Sequence, residues 1–358
     1  MVDTGADRWT RGQMKDNDRY WDCLDQAMEA SHGGRTDEAL AWLDEALKAH
    51  PNGAEAHNGR GELLWDAGRV EEALYEIELA SMADPKFMTA HLNRAELLIE
   101  ELGEFEQAIQ LCDELLAGRP EMARPDRGTE AEVHYLKSKA LFYLDDLEGA
   151  LFLVKRAGKV AADVGVYRAF EGQILFELGR FKDARRQLDQ SVLLDTESAH
   201  AVYYLGLVLE RLGEDDESAR AFRRANALDP DHYPLPVQVD DEAFDKAAGE
   251  ALANLPRSIR EYAENVPLLV RDFPEEEMVC GENVSPQILG VFIGVPRTEA
   301  AVTAQARGID RVILFRKNLE KVCRTRAELV EQIHVTVKHE IGHYLGLDED
   351  DLERLGLA

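Results

Sequence analysis

Two histidines four residues apart with a glutamate between them, His339-Glu340-Ile341-Gly342-His343, are the residues whose types and spacing name a chemistry in this chain. On a helix, side chains four apart stand one above the other, so His339 and His343 can present two imidazole nitrogens to a single metal ion. Zn2+ is the ion such a pair suits. Glu340 then lies beside the ion, placed to take a proton from its bound water. Ten histidines in 358 residues put the bare pattern within reach of coincidence, so the elements that carry it have to decide.

The carrying helix is legible in the sequence. Thr325 is a candidate cap. At about 100° per residue, Val330, Ile333, Val337, Ile341 and Leu345 fall on one side, and Gln332, Thr336, His339 and His343 fall on the other. The histidines are therefore expected outside the core, facing solvent or a cleft. Gly346 can end the helix in a left-handed turn and swing the acids after it back toward the histidines. Only 15 residues follow His343, so a third ligand lies in Asp348–Glu353 or upstream. Counting ten on from His339 reaches Glu349, with Asp348 and Asp350 as flanking alternatives. His334 lies on a different face and reads as structural.

Composition narrows the class. A hydrophobic fraction of 45% supplies packed cores, and 358 residues suggest two or three domains. The formal charge of −29 argues against nucleic acid and anionic membrane, since a phosphate surface repels it. No stretch reaches 18 apolar residues and Met1–Tyr20 has no signal-type apolar core, so a cytoplasmic protein is expected. The four cysteines, Cys23, Cys112, Cys280 and Cys323, contain no C-x-x-C pair and read as reduced, mostly structural thiols.

A 34-residue period runs through residues 17–232: Gly34 and Gly68, Ala39 and Ala73, Ala46 and Ala80, Pro51 and Pro85. The next unit has one extra residue, giving Gly103, Ala108 and Pro120; the last two return to period with Gly179 and Gly213, Leu188 and Phe222, Ser191 and Ala225. A fourth unit, Ala131–Asp163, follows an insertion near residues 122–129 and has Asp145 where the turn glycine belongs and Ala162 where the proline does. These landmarks resemble the tetratricopeptide repeat, best in Ala54–Phe87 and Ala199–His232. The resemblance implies an α-solenoid of about six antiparallel helix pairs, a right-handed superhelix with a concave surface for a protein or peptide. Asn58, Asn93 and Arg94 are candidate groove residues; Tyr203 and Tyr204 read as helix packing.

His232-Tyr233-Pro234-Leu235-Pro236 forbids helix continuation, so the organisation expected is a tail (1–16), the array (17–232), a Pro-rich linker (233–240) and a second domain (241–358). In that domain a helix over Asp241–Ala253, a short helix over Ser258–Glu264 and strands near Val266–Val270, Ile288–Val295 and Arg311–Arg316 make a small α+β pattern. The last of these strands is a candidate edge for pairing with a substrate backbone. From Phe244 onward the sequence resembles the small zincin-like metallopeptidases described as a minimal matrix-metalloprotease-like domain. The likeness runs through Phe244–Pro256, Gly294-Val295-Pro296-Arg297-Thr298-Glu299, Arg311-Val312-Ile313-Leu314-Phe315-Arg316 and His339–Leu347. It implies that His339 and His343 bind zinc and that Glu340 is the catalytic base. That family usually has Asp where Glu349 stands here, so Glu349, Asp348 and Asp350 all remain ligand candidates.

The function expected is a zinc-dependent peptidase whose array recruits a protein substrate or regulator, with Tyr344 a candidate for oxyanion help. The alternative is an interaction scaffold whose C-terminal metal-binding domain is inactive. Deleting residues 17–232 is expected to abolish capture and leave cleavage of an unstructured peptide.

Overall fold

The computed structural model describes residues 11–118, 124–255, 260, 266–281, 284–294, 310–348, 351, 352 and 354. The short helix expected over Ser258–Glu264, apart from Arg260, and the ligand candidates Glu349 and Asp350 lie outside these residues. Sixteen helices and a three-stranded sheet are described. Among the described residues, no helix is long and apolar enough to cross a membrane.

The chain divides into two compact units, 1–163 and 164–358. The first holds α1 (Arg11–His32), α2 (Thr36–Ala49), α3 (Ala54–Asp66), α4 (Val70–Ala83), α5 (Met88–Glu100), α6 (Phe105–Ala117), α7 (Arg127–Tyr143) and α8 (Leu147–Val160). The small residues of the period are its packing points: Ala39, Ala46, Ala73, Ala80 and Ala108 are fully buried. Gly34, Gly68 and Gly103 turn the chain at positive φ. Asp145 does the same at φ 62°, with its N–H donating to Phe142 O at 3.0 Å. The fourth unit therefore keeps the turn geometry although an aspartate stands in the glycine position, a residue whose short polar side chain tolerates this conformation.

The second unit begins with two more pairs, α9 (Gly165–Glu177) with α10 (Phe181–Leu194) and α11 (Ala199–Arg211) with α12 (Asp215–Leu228). Tyr203 stacks near Phe222 and Tyr233, and Tyr204 near Phe176. Burial pushes the Tyr203 hydroxyl up to about 12, as packing residues should show.

After the linker come α13 (Asp241–Ala253), β1 (Leu268–Arg271), α14 (Glu276–Gly281), β2 (Gly290–Ile293), β3 (Arg311–Phe315), α15 (Arg316–Lys321) and α16 (Arg326–Leu345). The strand order is β1-β3-β2; β3 runs parallel to β1, with Leu269 opposite Ile313, and antiparallel to β2, with Val291 also opposite Ile313. Alternation along β3 fills both faces. Val312 and Leu314 join Phe244, Ala248, Ile333, Val337 and Ile341 from α13 and α16. Ile313 and Phe315 turn to Met278 of α14.

The expectation that Arg311–Arg316 offers a pairing edge is overturned: this strand is central and hydrogen-bonded on both sides. Its near-continuous apolar run, Val-Ile-Leu-Phe, is what burial on two faces requires. In the described sheet the outer strands are β1 and β2.

The last two helix pairs are fastened to the C-terminal fold. Lys321 at the end of α15 reaches Glu210 of α11 at 2.5 Å, with both side chains nearly out of solvent. Burial pushes the Lys321 ammonium down, against the opposing pull of Glu210. Arg211 lies between the rings of Phe181 and Phe273 and donates to Pro274 O at 2.9 Å. Glu177, the last residue of α9, accepts from Ser285 Oγ and Gln287 Nε2 at 2.8 and 2.7 Å.

Candidate metal centre

Helix α16 starts where capping chemistry allows, with Thr325 Oγ1 accepting from the Glu328 N–H at 3.2 Å. It ends at Gly346, whose φ of 86° closes the turn with Leu347 N donating to Gly342 O at 3.1 Å. Between these ends its apolar stripe is buried as its period requires: Ile333, Val337 and Ile341 are at most 1% exposed, with Val330 and Leu345 packed alongside.

The opposite side is partly withdrawn from solvent. Thr336 and Glu340 are 5% and 7% exposed, while His339 and His343 are half-buried. What covers Thr336 and Glu340 is β2. A Cβ on Gly290 would stand 2.7 Å from Thr336 Cγ2, 3.2 Å from Glu340 Cγ and 3.2 Å from Ile313 O, so only glycine lets the strand pass this close to the helix. By sequence Gly290 reads as a turn residue punctuating the strands; in the structure it is the first residue of β2.

His339 and His343 converge. Their Nε2 atoms lie 3.0 Å apart, with the rings at 88° and their centroids 4.6 Å apart. Two imidazole nitrogens on one tetrahedral zinc ion stand roughly 3.3 Å apart, so this pair fits one ion with little adjustment. His343 Nδ1 donates to Leu347 O at 3.3 Å, which puts the lone pair on Nε2, the atom aimed at His339. The left-handed turn at Gly346 thus supplies a carbonyl that orients a candidate ligand.

After the turn at Gly346 the chain meets the helix again at Leu352. Fully buried Leu352 lies against Gly342, the residue before His343, leaving no space there for a side chain. Asp348 Oδ1 accepts from Asp351 N at 2.8 Å, so this candidate ligand caps the backbone that follows. Among the described residues, no group of three His, Cys, Asp or Glu side chains could hold a metal ion. Tyr344, considered for oxyanion help, belongs to the core, 8% exposed and 5.4 Å from the Phe292 ring. His334 is not brought to the pair; its Nε2 is buried and without a hydrogen-bond partner among the described residues.

Of the groove candidates in the array, Asn58 is buried and bonded to Asn93 and Glu62, and Arg94 pairs with Glu78 at 2.9 Å.

Residues 263–357 match the zincin-like metallopeptidase family, and residues 24–85 and 171–233 match the tetratricopeptide repeat. The chain thus combines a tetratricopeptide-repeat region with a zincin-like metallopeptidase-family domain. Among solved structures it resembles Pseudomonas aeruginosa pilF, with 15% identity over 61% of this chain and 95% of that one and a TM-score of 0.51. It also resembles PilW, a type IV pilus biogenesis factor, with 17% identity over 59% of this chain and 94% of that one and a TM-score of 0.52. At these identities the likeness is one of fold. No curated protein matches the chain.

Proposed function

We propose that this protein is a zinc-dependent peptidase whose repeat array captures the protein it acts on or is regulated by. The observation that carries the catalytic half is the convergence of His339 Nε2 and His343 Nε2 beside a glutamate that β2 encloses. His339 and His343 would hold the ion, with a carboxylate from the acidic run completing the set. Glu349 is preferred among these by its spacing; Asp348 and Asp350 are the alternatives. Zinc in such a site polarises a carbonyl and acidifies water.

The protein's own residues supply the rest. Glu340 takes the proton of the attacking water on its carboxylate and returns it to the leaving amine. The close passage of Gly290 beside Glu340 Cγ would limit where that side chain can move. Leu347 O holds the His343 ring in the orientation and tautomer that a ligand needs. The substrate backbone pairs with β2, whose described partner lies on one side only and which passes directly over Glu340.

The test is proteolysis of an unfolded protein such as reduced casein by the full-length chain, with Glu340→Gln beside it. Zinc-dependent cleavage lost in the variant, with zinc retained, supports the reading. A variant as active as the parent overturns it, and zinc without turnover in either protein leaves a metal-bearing scaffold. Deleting residues 17–232 is a poor version of this experiment, because it removes Glu177, Glu210 and Arg211 from the C-terminal fold.

A further inference from the structure

A groove between α1 and α3, in the first compact unit, encloses about 420 Å3. Its apolar lining includes Leu24, Met28 and Leu63, with Met28 57% exposed. Its polar lining includes Ser31, His32, Glu55, Glu62 and Asp66, and among the described residues neither lysine nor arginine lines it.

The state of these three carboxylates is unlike that of their neighbours. Glu38, Asp44, Glu45, Glu72 and Glu78 on the second helices each pair with an arginine or lysine. In the groove, Glu62 is held by two neutral amides, Asn58 and Asn93, both on Oε1. Glu55 accepts from the Tyr20 hydroxyl at 2.9 Å. Neither carboxylate, nor that of Asp66, is in an ion pair among the described residues. A cation entering the groove would therefore meet carboxylates that no described lysine or arginine already pairs.

The floor gives a second, independent sign. Gly59 lies inside α3, where glycine costs about 1 kcal/mol against alanine. Nothing in the fold requires it: a Cβ there would meet only the Leu43 methyls, at 3.6 and 3.8 Å, an ordinary contact. By contrast a Cβ on Gly61, two residues on, would collide with Ile77, so that glycine is structural. Gly59 keeps space open that a side chain would fill.

We propose that this groove binds a protein segment in which a bulky apolar residue is flanked by lysines or arginines, the apolar side chain entering over Gly59 and the cations meeting Glu55, Glu62 and Asp66. This rests on the reading that the array captures a protein and specifies where and by what chemistry. A second copy of this chain is a poor occupant, since each carries −29.

The test uses the full-length protein in the Glu340→Gln background and a fluorescein-labelled dodecapeptide with one Phe and four Lys in a Gly-Ser context. Saturable binding at about 1–100 μM in low salt is expected. Replacing Phe by Ser, or the lysines by Glu, is expected to weaken it roughly tenfold or more. Gly59→Leu and the pair Glu62→Gln with Asp66→Asn should each do the same without lowering Tm. No saturable binding up to about 1 mM overturns the proposal, as does equal binding of the acidic control or indifference to Gly59→Leu. Self-association abolished by Gly59→Leu would also overturn it, by making the occupant a second copy. Zinc content is read on the same samples: its loss sinks the peptidase reading alone, while capture that survives a filled groove sinks this inference alone.

Discussion

Glu177 Oε1 accepts a hydrogen bond from Gln287 Nε2 at 2.7 Å, joining the last residue of a repeat helix to the segment that enters β2. Three residues beyond Gln287, Gly290 passes over Glu340. Asn318 of α15 holds the same segment from the other side, donating to Pro286 O and Ile288 O. Replacing Glu177 with Ala leaves Ser285 and Gln287 without their acceptor. A loss of about 1–3 kcal/mol is expected in urea unfolding of the second unit. An unchanged midpoint would mean that water replaces the carboxylate at no cost.

The Lys321–Glu210 pair makes a sharper demand, because both groups are withdrawn from water. Lys321→Met should destabilise by about 3–5 kcal/mol, since it strands a carboxylate in an apolar setting. Adding Glu210→Leu should recover most of that loss. A double-mutant cycle in urea reads the coupling directly, and additivity of the two changes would contradict it.

Much of this fold was legible in the sequence because each local signal matched its physical role. The helix Asp241–Ala253 has the bounds expected of it, and the three strands fall within one or two residues of the apolar runs. Asp145 was recognised as occupying a turn position, but its φ depended on whether the neighbouring helices would enforce it. The attachment of α9–α12 to the C-terminal fold was not legible. Nothing local in the sequence marks Glu177, Glu210 or Arg211, because their partners lie 63 to 111 residues away. The order of the strands was hidden for the same reason, since an apolar run of five specifies burial but not which neighbours hydrogen-bond to it.

At the site, Gly290→Ala should be far more costly than its size suggests. The added methyl must displace Thr336, Glu340 or the backbone of β3. A loss of about 1–3 kcal/mol is expected, together with a fall in any turnover that depends on Glu340. Thr336→Ser removes the nearest obstructing methyl and should recover part of both in the double variant. Failure of that rescue would mean that the strand, not the side chains, sets the distance.

Two histidines at the same position of successive repeats should respond to pH in opposite directions. His57 Nε2 and His91 Nε2 each lie 3.1 Å from a proline carbonyl oxygen, Pro51 O and Pro85 O. His57 also meets Glu76 at 2.7 Å, and that hydrogen bond raises its pKa above the ordinary 6.5. His91 Nδ1 has no hydrogen-bond partner among the described residues, and burial lowers its pKa. The His57 contribution is therefore fully present below about pH 6.5 and lost as pH rises through its folded-state value. The His91 contribution is present above about pH 6.5 and lost as pH falls through its folded-state value. Thermal midpoints at about pH 5.5 and about pH 8 should show His57→Gln more damaging at the lower pH and His91→Gln more damaging at the higher. Parallel shifts would contradict the assignment.

The most direct measurement is the zinc content of the full-length protein after saturation and dialysis, compared among the parent chain, His339→Ala, His343→Ala and Glu340→Gln. The account predicts about one zinc per chain in the parent and in Glu340→Gln, and loss of it in both histidine variants. A parent that retains no zinc, or zinc that survives removal of either histidine, would contradict it.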